Sequence, residues 1–174
     1  MSEKKTKGLI QVYTGDGKGK TTAALGQAMR AAGRGLKVCF IQFLKSEPTG
    51  EHLFLRRYPA FEIHQTGAGN NFTKPETELK KEAQQTLTYA AEQMLSGKCD
   101  LLVLDEILVA INKELISTAR VLELLDKKPE SLEMVLTGRN APPEIVQRAD
   151  LVTEMLKIKH PYDNKIIARR GIEY

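Results

Sequence analysis

Residues 14–22 read Thr14-Gly-Asp-Gly-Lys-Gly-Lys-Thr-Thr22, and this stretch is the most informative part of the chain. An apolar run at 9–13 predicts a β-strand before it, and the pattern over Lys20–Ala32 predicts a helix after it, ended by Gly33. Glycines let backbone N–H groups converge on an anion, and the helix N-terminus adds positive potential. The stretch therefore predicts a loop that binds the phosphates of a nucleotide, ATP with a divalent metal. The candidate binding residues are Gly15, Asp16, Gly17, Lys18, Gly19, Lys20, Thr21 and Thr22.

The turn departs from the common phosphate-loop pattern G-x-x-x-x-G-K-S/T, because Thr14 stands at the first glycine position. Gly15 and Gly17 can supply the curl instead. Lys20 is suited to place a mobile charge on the outer phosphates, and Thr21 to place its hydroxyl on magnesium. The alternative is a glycine-rich hairpin turn with incidental lysines, against which the strand before and the helix after both argue.

Short apolar runs alternate with helical patterns along the rest of the chain. Strands apolar on both faces with helices between them are typical of a parallel sheet covered on both sides. We therefore predict an α/β fold of three layers, with a mainly parallel sheet and helices on both faces, in one domain over 1–174 with 1–8 flexible. The further predicted strands are 37–43, Phe61–Gln65, 101–104, 133–136 and 151–155.

The clearest helical pattern covers Glu76–Leu95, where apolar side chains recur at three- and four-residue steps. Residues 73–76 offer a capping box with Pro75 in the first turn, and Gly97 predicts the end of the helix. The remaining predictions are a helix at 114–126, a loop with a short helix at 45–59 and a mobile loop at 66–74.

Composition indicates a cytoplasmic protein that does not bind nucleic acid. The net charge is only +4, and basic residues are interleaved with acids. Cys39 and Cys99 form no C-x-x-C pair and sit beside apolar runs, which predicts buried, reduced thiols and no zinc site. No apolar run reaches the roughly 20 residues of a membrane span, and residues 1–7 are not followed by a signal-peptide stretch. The scattered His52, His64 and His160 suggest no metal site.

Two other predicted strands end in polar residues. The run Leu101-Leu-Val-Leu-Asp-Glu106 ends in two carboxylates, which at the carboxyl edge of a parallel sheet would lie near Thr21 and complete a magnesium site. If the strand stayed extended, Asp105 and Glu106 would point to opposite faces, so that only one would be a direct ligand. A solvated acidic turn is the alternative. Arg139 could hold a phosphate or carboxylate, or be an ordinary exposed arginine.

The ordered series of motifs resembles the P-loop corrinoid (cob(I)alamin) adenosyltransferases over nearly the whole chain. The presence of Thr before the glycine turn is itself a feature of that family. The motifs are Tyr13-Thr-Gly-Asp-Gly-Lys-Gly-Lys-Thr-Thr22, Gln42-Phe-Leu-Lys45, Thr49-Gly-Glu51, Val103-Leu-Asp-Glu106, Thr137-Gly-Arg139, Arg148-Ala-Asp-Leu-Val-Thr-Glu-Met155, Lys159-His-Pro161 and Arg170-Gly-Ile-Glu-Tyr174.

The resemblance implies a P-loop NTPase fold of RecA-like type and attack of a Co(I) corrinoid on the 5′ carbon of ATP, with triphosphate leaving. It implies that Lys20, Glu106 and Arg139 are catalytic. It also implies that Thr21 and Glu106, with Asp105 nearby, hold Mg²⁺ or Mn²⁺. A homodimer and a reductase that supplies Co(I), a flavoprotein, are the implied partners.

The chain departs from the family in the loop before the long helix. Similar members often carry Phe-Thr-Trp there, and the aromatic side chains help to displace the lower ligand of the corrinoid. Here the loop reads Phe72-Thr-Lys74, and the chain has no Trp. Phe72 is therefore the candidate for this role. The segment before the first strand, 1–8, is short, which limits any N-terminal lid over the corrinoid.

Two other functions remain open from the residues. One is a P-loop phosphotransferase or ATPase of RecA-like fold, for which Glu106 could orient the attacking group. The other is a carrier that binds a corrinoid or nucleotide without turnover. Product analysis separates the three, because only adenosyl transfer releases triphosphate together with an adenosylated corrinoid.

Overall fold

The computed structural model describes residues 7–45, 48–66 and 73–174, so Phe72 and most of the loop predicted at 66–74 lie outside the described residues. The strands are β1 Ile10–Thr14, β2 Val38–Gln42, β3 Phe61–Gln65, β4 Leu101–Asp105, β5 Glu133–Thr137 and β6 Leu151–Glu154. The helices are α1 Lys20–Ala32, α2 Gly50–Leu55, α3 Glu76–Leu95, α4 Ile107–Asn112, α5 Thr118–Asp126 and α6 Pro143–Arg148, followed by a 3-10 turn at Pro161–Asn164.

The strands form one six-stranded sheet in the order β3-β2-β4-β5-β1-β6. Every paired strand is parallel to its neighbour. The register places Gln42 opposite Asp105 and Tyr13 opposite Thr137, so the carboxyl ends of β1, β2, β4 and β5 share one edge. This is the edge at which α/β proteins bind ligands, and the prediction of a parallel α/β sheet is confirmed.

Separate apolar cores lie on the two faces of the sheet. Leu101 and Val103 of β4 pack with Ala24 and Ala28 of α1 in one core. The alternate residues Leu102 and Leu104 belong to a larger core that includes α3, α4 and α5. This alternation follows from the two-residue period of a strand, and the predicted three layers are confirmed. In the described part of the chain, no helix is long and apolar enough to cross a membrane.

Three predictions about local structure were wrong. The sheet is not apolar and covered throughout, because β6 is an edge strand with all four residues exposed. The helix predicted at 114–126 begins only at Thr118, because Glu114 has φ +55° and Ser117 accepts a capping hydrogen bond from the Arg120 N–H. The predicted capping box is also wrong, since Pro75 at ψ 145° is itself the N-cap residue of α3 and makes no side-chain cap hydrogen bond.

Other local predictions were confirmed. The helices Lys20–Ala32 and Glu76–Leu95 and the strand Phe61–Gln65 have the predicted limits. Gly97, at φ +67°, follows α3 in the left-handed conformation that ends helices. A short helix, α2, lies within the loop predicted at 45–59.

Candidate nucleotide site

The phosphate loop, residues 14–22, connects β1 to α1 at the carboxyl edge of the sheet. Gly15 and Gly19 have φ +100° and +119°, a conformation that residues with side chains rarely adopt. A Cβ at Gly17 would lie 2.7 Å from the Met155 carbonyl oxygen, which accepts a hydrogen bond from the Gly17 N–H. Gly15 and Gly19 thus provide the turns, whereas Gly17 permits close packing on the chain that follows β6.

Thr14, at the first glycine position of the common pattern, is nearly buried. Its hydroxyl accepts a hydrogen bond of 3.1 Å from the Ala141 N–H, which belongs to the segment after β5. A glycine could not make this bond, so Thr14 fixes the start of the loop to the neighbouring strand connection.

Lys20 lies under the phosphate loop with only 7% of its surface exposed. Its ammonium donates hydrogen bonds of 2.7 Å to the carbonyl oxygens of both Gly15 and Gly17. Burial lowers the pKa of Lys20, and the nearby Arg139 lowers it further. The charge of Lys20 is therefore held at the centre of the loop, where the first-turn amides of α1 also point.

Asp105 is fully buried at the end of β4 and accepts four hydrogen bonds. The hydroxyls of Thr21 and Thr137 donate to Oδ1 at 2.9 and 2.7 Å. Gln42 Nε2 and Lys45 Nζ donate to Oδ2 at 3.1 and 3.4 Å. Both oxygens of Asp105 thus have protein partners, and one partner is the proposed metal-binding threonine.

Glu106 does not continue β4, so the prediction that Asp105 and Glu106 point to opposite faces of an extended strand does not apply. Its φ is +63°, and its N–H donates to the Thr137 hydroxyl at 2.9 Å. Within the described residues, Asp105 accepts four hydrogen bonds at this edge, and the Glu106 carboxylate accepts none. Burial raises the pKa of Glu106, and repulsion from Asp105 adds to the effect.

Arg139 reaches the phosphate loop through Asp16, with Nη1 3.2 Å from Oδ1 in an exposed ion pair. Gly138, before it, has φ +145°, and a Cβ there would lie 2.6 Å from Leu108 Cβ of α4. Asn112 Nδ2 donates a 2.6 Å hydrogen bond to the Arg139 carbonyl oxygen. Arg139 is thus exposed, in agreement with the alternative interpretation of an exposed arginine. It nevertheless faces the phosphate loop from the end of β5.

The sequence interpretation gave no role to several polar residues that the structure brings to this site. Gln42 is the last residue of β2 and Lys45 follows the strand, and both contact Glu51 of α2 as well as Asp105. Burial alone disfavours the ammonium of Lys45, but the carboxylates of Asp105 and Glu51 outweigh it and raise the pKa of Lys45. Their position at the carboxyl ends of parallel strands, the rule used for Asp105, would have identified them.

A cavity of about 530 Å³ lies beside these groups. One wall is the phosphate loop together with Lys45, Glu51, Glu106 and Arg139, and the other is formed by residues between 160 and 174. Sequence reasoning did not predict that the end of the chain would close the site. Of the predicted site residues in the described part, Thr21, Asp105 and Lys20 are brought together, with Glu106 and Arg139 beside them.

The histidines are not grouped. His52 is buried, His64 stacks on Tyr89 with ring centroids 4.0 Å apart, and His160 accepts a hydrogen bond from the Tyr162 N–H. Within residues 7–45, 48–66 and 73–174, no group of three or more His, Cys, Asp or Glu side chains could hold a metal ion. A metal here would have to take part of its ligands from the nucleotide and water.

Comparison with known proteins gives matches over nearly the whole chain. A sequence model of the family described as ATP:corrinoid adenosyltransferase BtuR/CobO/CobP matches residues 6–174. A corrinoid adenosyltransferase of Pseudomonas aeruginosa is 35% identical over 172 residues, covering 97% of this chain and 84% of the relative. One of Escherichia coli is 32% identical over 170 residues, covering 97% and 86%.

Solved structures agree on the fold. A KaiC-like protein of Pyrococcus horikoshii superposes with a TM-score of 0.58 at 18% identity, covering 85% of this chain and 73% of its own. The RadB recombinase superposes with a TM-score of 0.56 at 15% identity, covering 89% and 77%. At these identities the likeness shows a P-loop fold of RecA-like type and does not extend to activity.

Proposed function

The chain belongs to the ATP:corrinoid adenosyltransferase family, whose activity is ATP-dependent adenosylation of corrinoids, and we propose how its site performs that reaction. The 5′-deoxyadenosyl group passes from ATP to the Co(I) of a reduced corrinoid, and triphosphate leaves. The observation that carries this proposal is the buried Lys20 ammonium at the centre of the phosphate loop, at the N-terminus of α1.

The bond that forms joins cobalt to the 5′ carbon, and the bond that breaks joins that carbon to the triphosphate oxygen, which keeps the electron pair. Co(I) is itself a very strong nucleophile, so the protein needs no base to activate it. Its task is to hold the two reactants in line and to stabilise the charge on the departing phosphates. Lys20 and the backbone amides of residues 15–22 perform the second task, except for Gly17, whose N–H donates to the Met155 carbonyl oxygen. The exposed guanidinium of Arg139 adds a further positive charge at the rim.

The donor set beside the phosphate loop fits Mg²⁺, or Mn²⁺, because it consists of hydroxyl and carboxylate oxygens. Thr21 and Glu106 would be the protein ligands, since the Glu106 carboxylate receives no hydrogen bond from the described residues. Asp105 would act through Thr21, whose hydroxyl it orients at 2.9 Å. When bound, the metal would supply charge neutralisation on the phosphates, and burial of Glu106 would strengthen its attraction for the cation.

Other features of the proposal rest on the family or, for the location, on the sequence composition. They are a homodimer, a cytoplasmic location, a flavoprotein reductase that supplies Co(I), and displacement of the lower corrinoid ligand by Phe72. The net charge of +4 on the full chain suits a polyanionic small-molecule substrate at least as well as nucleic acid.

An absorbance assay with ATP and chemically reduced cobalamin tests the proposal. The wild-type protein should convert many equivalents of corrinoid, whereas Lys20→Ala should lose at least a hundredfold in turnover, because removing one preorganised charge costs several kcal/mol. Lys98→Ala is the matched control, since Lys98 is exposed and follows α3. Stoichiometric binding without turnover would indicate the carrier function instead, and unchanged kinetics in Lys20→Ala would refute the role of Lys20.

A further inference from the structure

The last residues of the chain cross the cavity as a strap, defined as residues 156–174. The strap leaves the edge strand β6 and passes the phosphate loop, where Lys18 Nζ lies 3.4 Å from the Ile172 carbonyl oxygen and 3.7 Å from Glu173. It ends against α2, since a Cβ at Gly50 would lie 3.9 Å from the Tyr174 carbonyl oxygen. The strap therefore spans the carboxyl edge of the sheet from β6 to the start of α2.

The two walls of the cavity differ in chemistry. The phosphate-loop wall carries the cations of Lys18, Lys20 and Arg139. The strap wall is mainly aromatic and aliphatic, and these side chains remain well exposed although they line the cavity. Their exposed fractions are 76% for Tyr162, 49% for Ile166, 60% for Ile172 and 51% for Tyr174. Apolar surface of this kind is suited to a flat, uncharged ring and not to phosphate.

We infer that the strap binds the adenosine half of ATP, with the purine packed against the apolar side chains of Ile166 and Ile172. This inference rests on the proposed function, because it takes ATP as the ligand of the phosphate loop. One cavity then holds both halves of the nucleotide, the triphosphate on the cationic wall and the base on the apolar wall. Binding of the base also orients the 5′ carbon, which lies between them.

The end of the strap is braced by its own contacts. Arg169 donates side-chain hydrogen bonds to both oxygens of Glu173, at 3.0 and 3.2 Å, and the Arg169 N–H donates to the same carboxylate. Gly171, at φ +78°, donates its N–H to the Tyr174 carbonyl oxygen at 2.7 Å. These contacts hold the turn that contains Ile172, which limits the ordering cost when a base binds.

Titration calorimetry with two ligands tests the inference. Tripolyphosphate can use only the phosphate-loop wall, whereas ATP uses both walls. A double variant, Ile166→Ser with Ile172→Ser, should bind ATP about tenfold more weakly, because it loses apolar contact with the base. Its Kd for tripolyphosphate should stay within about twofold of wild type. Ile158→Ser is the control, since Ile158 is 83% exposed in the same strap and does not line the cavity.

The possible outcomes test the strap inference and the proposed reaction separately. Equal weakening of ATP and tripolyphosphate in the double variant would overturn the inference and show that the strap only supports the loop. Unchanged affinity for both ligands would also overturn it. If the double variant discriminates as expected while the wild-type protein forms no adenosylated corrinoid, the strap inference stands and the proposed function fails. If the wild type transfers the adenosyl group but the double variant weakens both ligands equally or neither of them, the proposed function stands and the strap inference fails.

Discussion

Replacing Thr137 by Val should destabilise the protein and impair the site together. The Thr137 hydroxyl is fully buried, donates to Asp105 Oδ1 at 2.7 Å and accepts from the Glu106 N–H at 2.9 Å. Valine has nearly the same shape but makes neither bond. Losing a hydrogen bond to a charged group costs about 1.5–3 kcal/mol, and leaving a buried N–H unpaired costs about 1–3 kcal/mol. We expect a net loss of about 3 kcal/mol in the free energy of unfolding, since the two costs overlap.

The matched variant is Thr137→Ser, which keeps the hydroxyl and removes one methyl group. It should lose only about 1 kcal/mol. Urea unfolding followed by circular dichroism measures both variants, and adenosylation under native conditions measures their turnover. We expect Thr137→Val to lose about tenfold in kcat, because Asp105 loses a donor and the Glu106 backbone loses its anchor. Equal stability and equal turnover of the two variants would refute the assignment of Thr137 to this network.

Three further predictions concern other parts of the structure. Gly17→Ala should weaken tripolyphosphate binding, measured by calorimetry, because the alanine Cβ would lie 2.6 Å from the Leu156 carbonyl oxygen. Unchanged affinity would contradict this prediction and show that the loop can shift without cost. Cys39 is buried as predicted, whereas Cys99 is only partly buried. Both should react slowly with a thiol reagent at pH 8, since desolvation raises the pKa of Cys99 to about 11 and that of Cys39 further. Rapid labelling of the native protein would contradict these raised pKa values. Hydrogen bonds from Arg169 lower the pKa of Glu173 to about 2. The stabilisation that these bonds give to the folded strap should therefore be complete above about pH 4.5 and disappear as the pH falls toward 2. A carboxyl titration of Glu173 by NMR with an ordinary midpoint would disprove the braced turn.

The sequence predicted those elements whose residues carry their own pattern. The apolar stripe of α3 and the continuous apolar run of β4 are local properties, and so is the Gly-Lys-Thr-Thr sequence at the start of α1. Helix α4 was missed because Ile107–Asn112 continues the apolar run of β4, so no periodicity marks where the strand ends. The break is made by Glu106 at φ +63°, a backbone conformation that composition does not reveal.

The site was predicted where a motif stood at a strand end and missed where distant segments meet. Lys20, Thr21 and Asp105 could be proposed from the sequence because phosphate and metal chemistry restrict the residue types that can serve, and the structure brings Thr21 and Asp105 into contact. The strap was missed because its contacts join residues far apart in the chain, such as Lys18 with Ile172. Thr14 was noted as a departure from the common pattern and as a family feature but received no physical role, since its partner, the Ala141 N–H, becomes visible only when β1 and β5 lie side by side.

The central claim is that the phosphate loop holds a whole triphosphate as the leaving group. Phosphorus NMR of a reaction containing ATP and chemically reduced corrinoid tests it most directly. We predict one equivalent of intact triphosphate for each adenosylated corrinoid formed by the wild-type protein. Appearance of ADP and phosphate in its place, with no adenosylated corrinoid, would contradict the claim and indicate phosphoryl transfer.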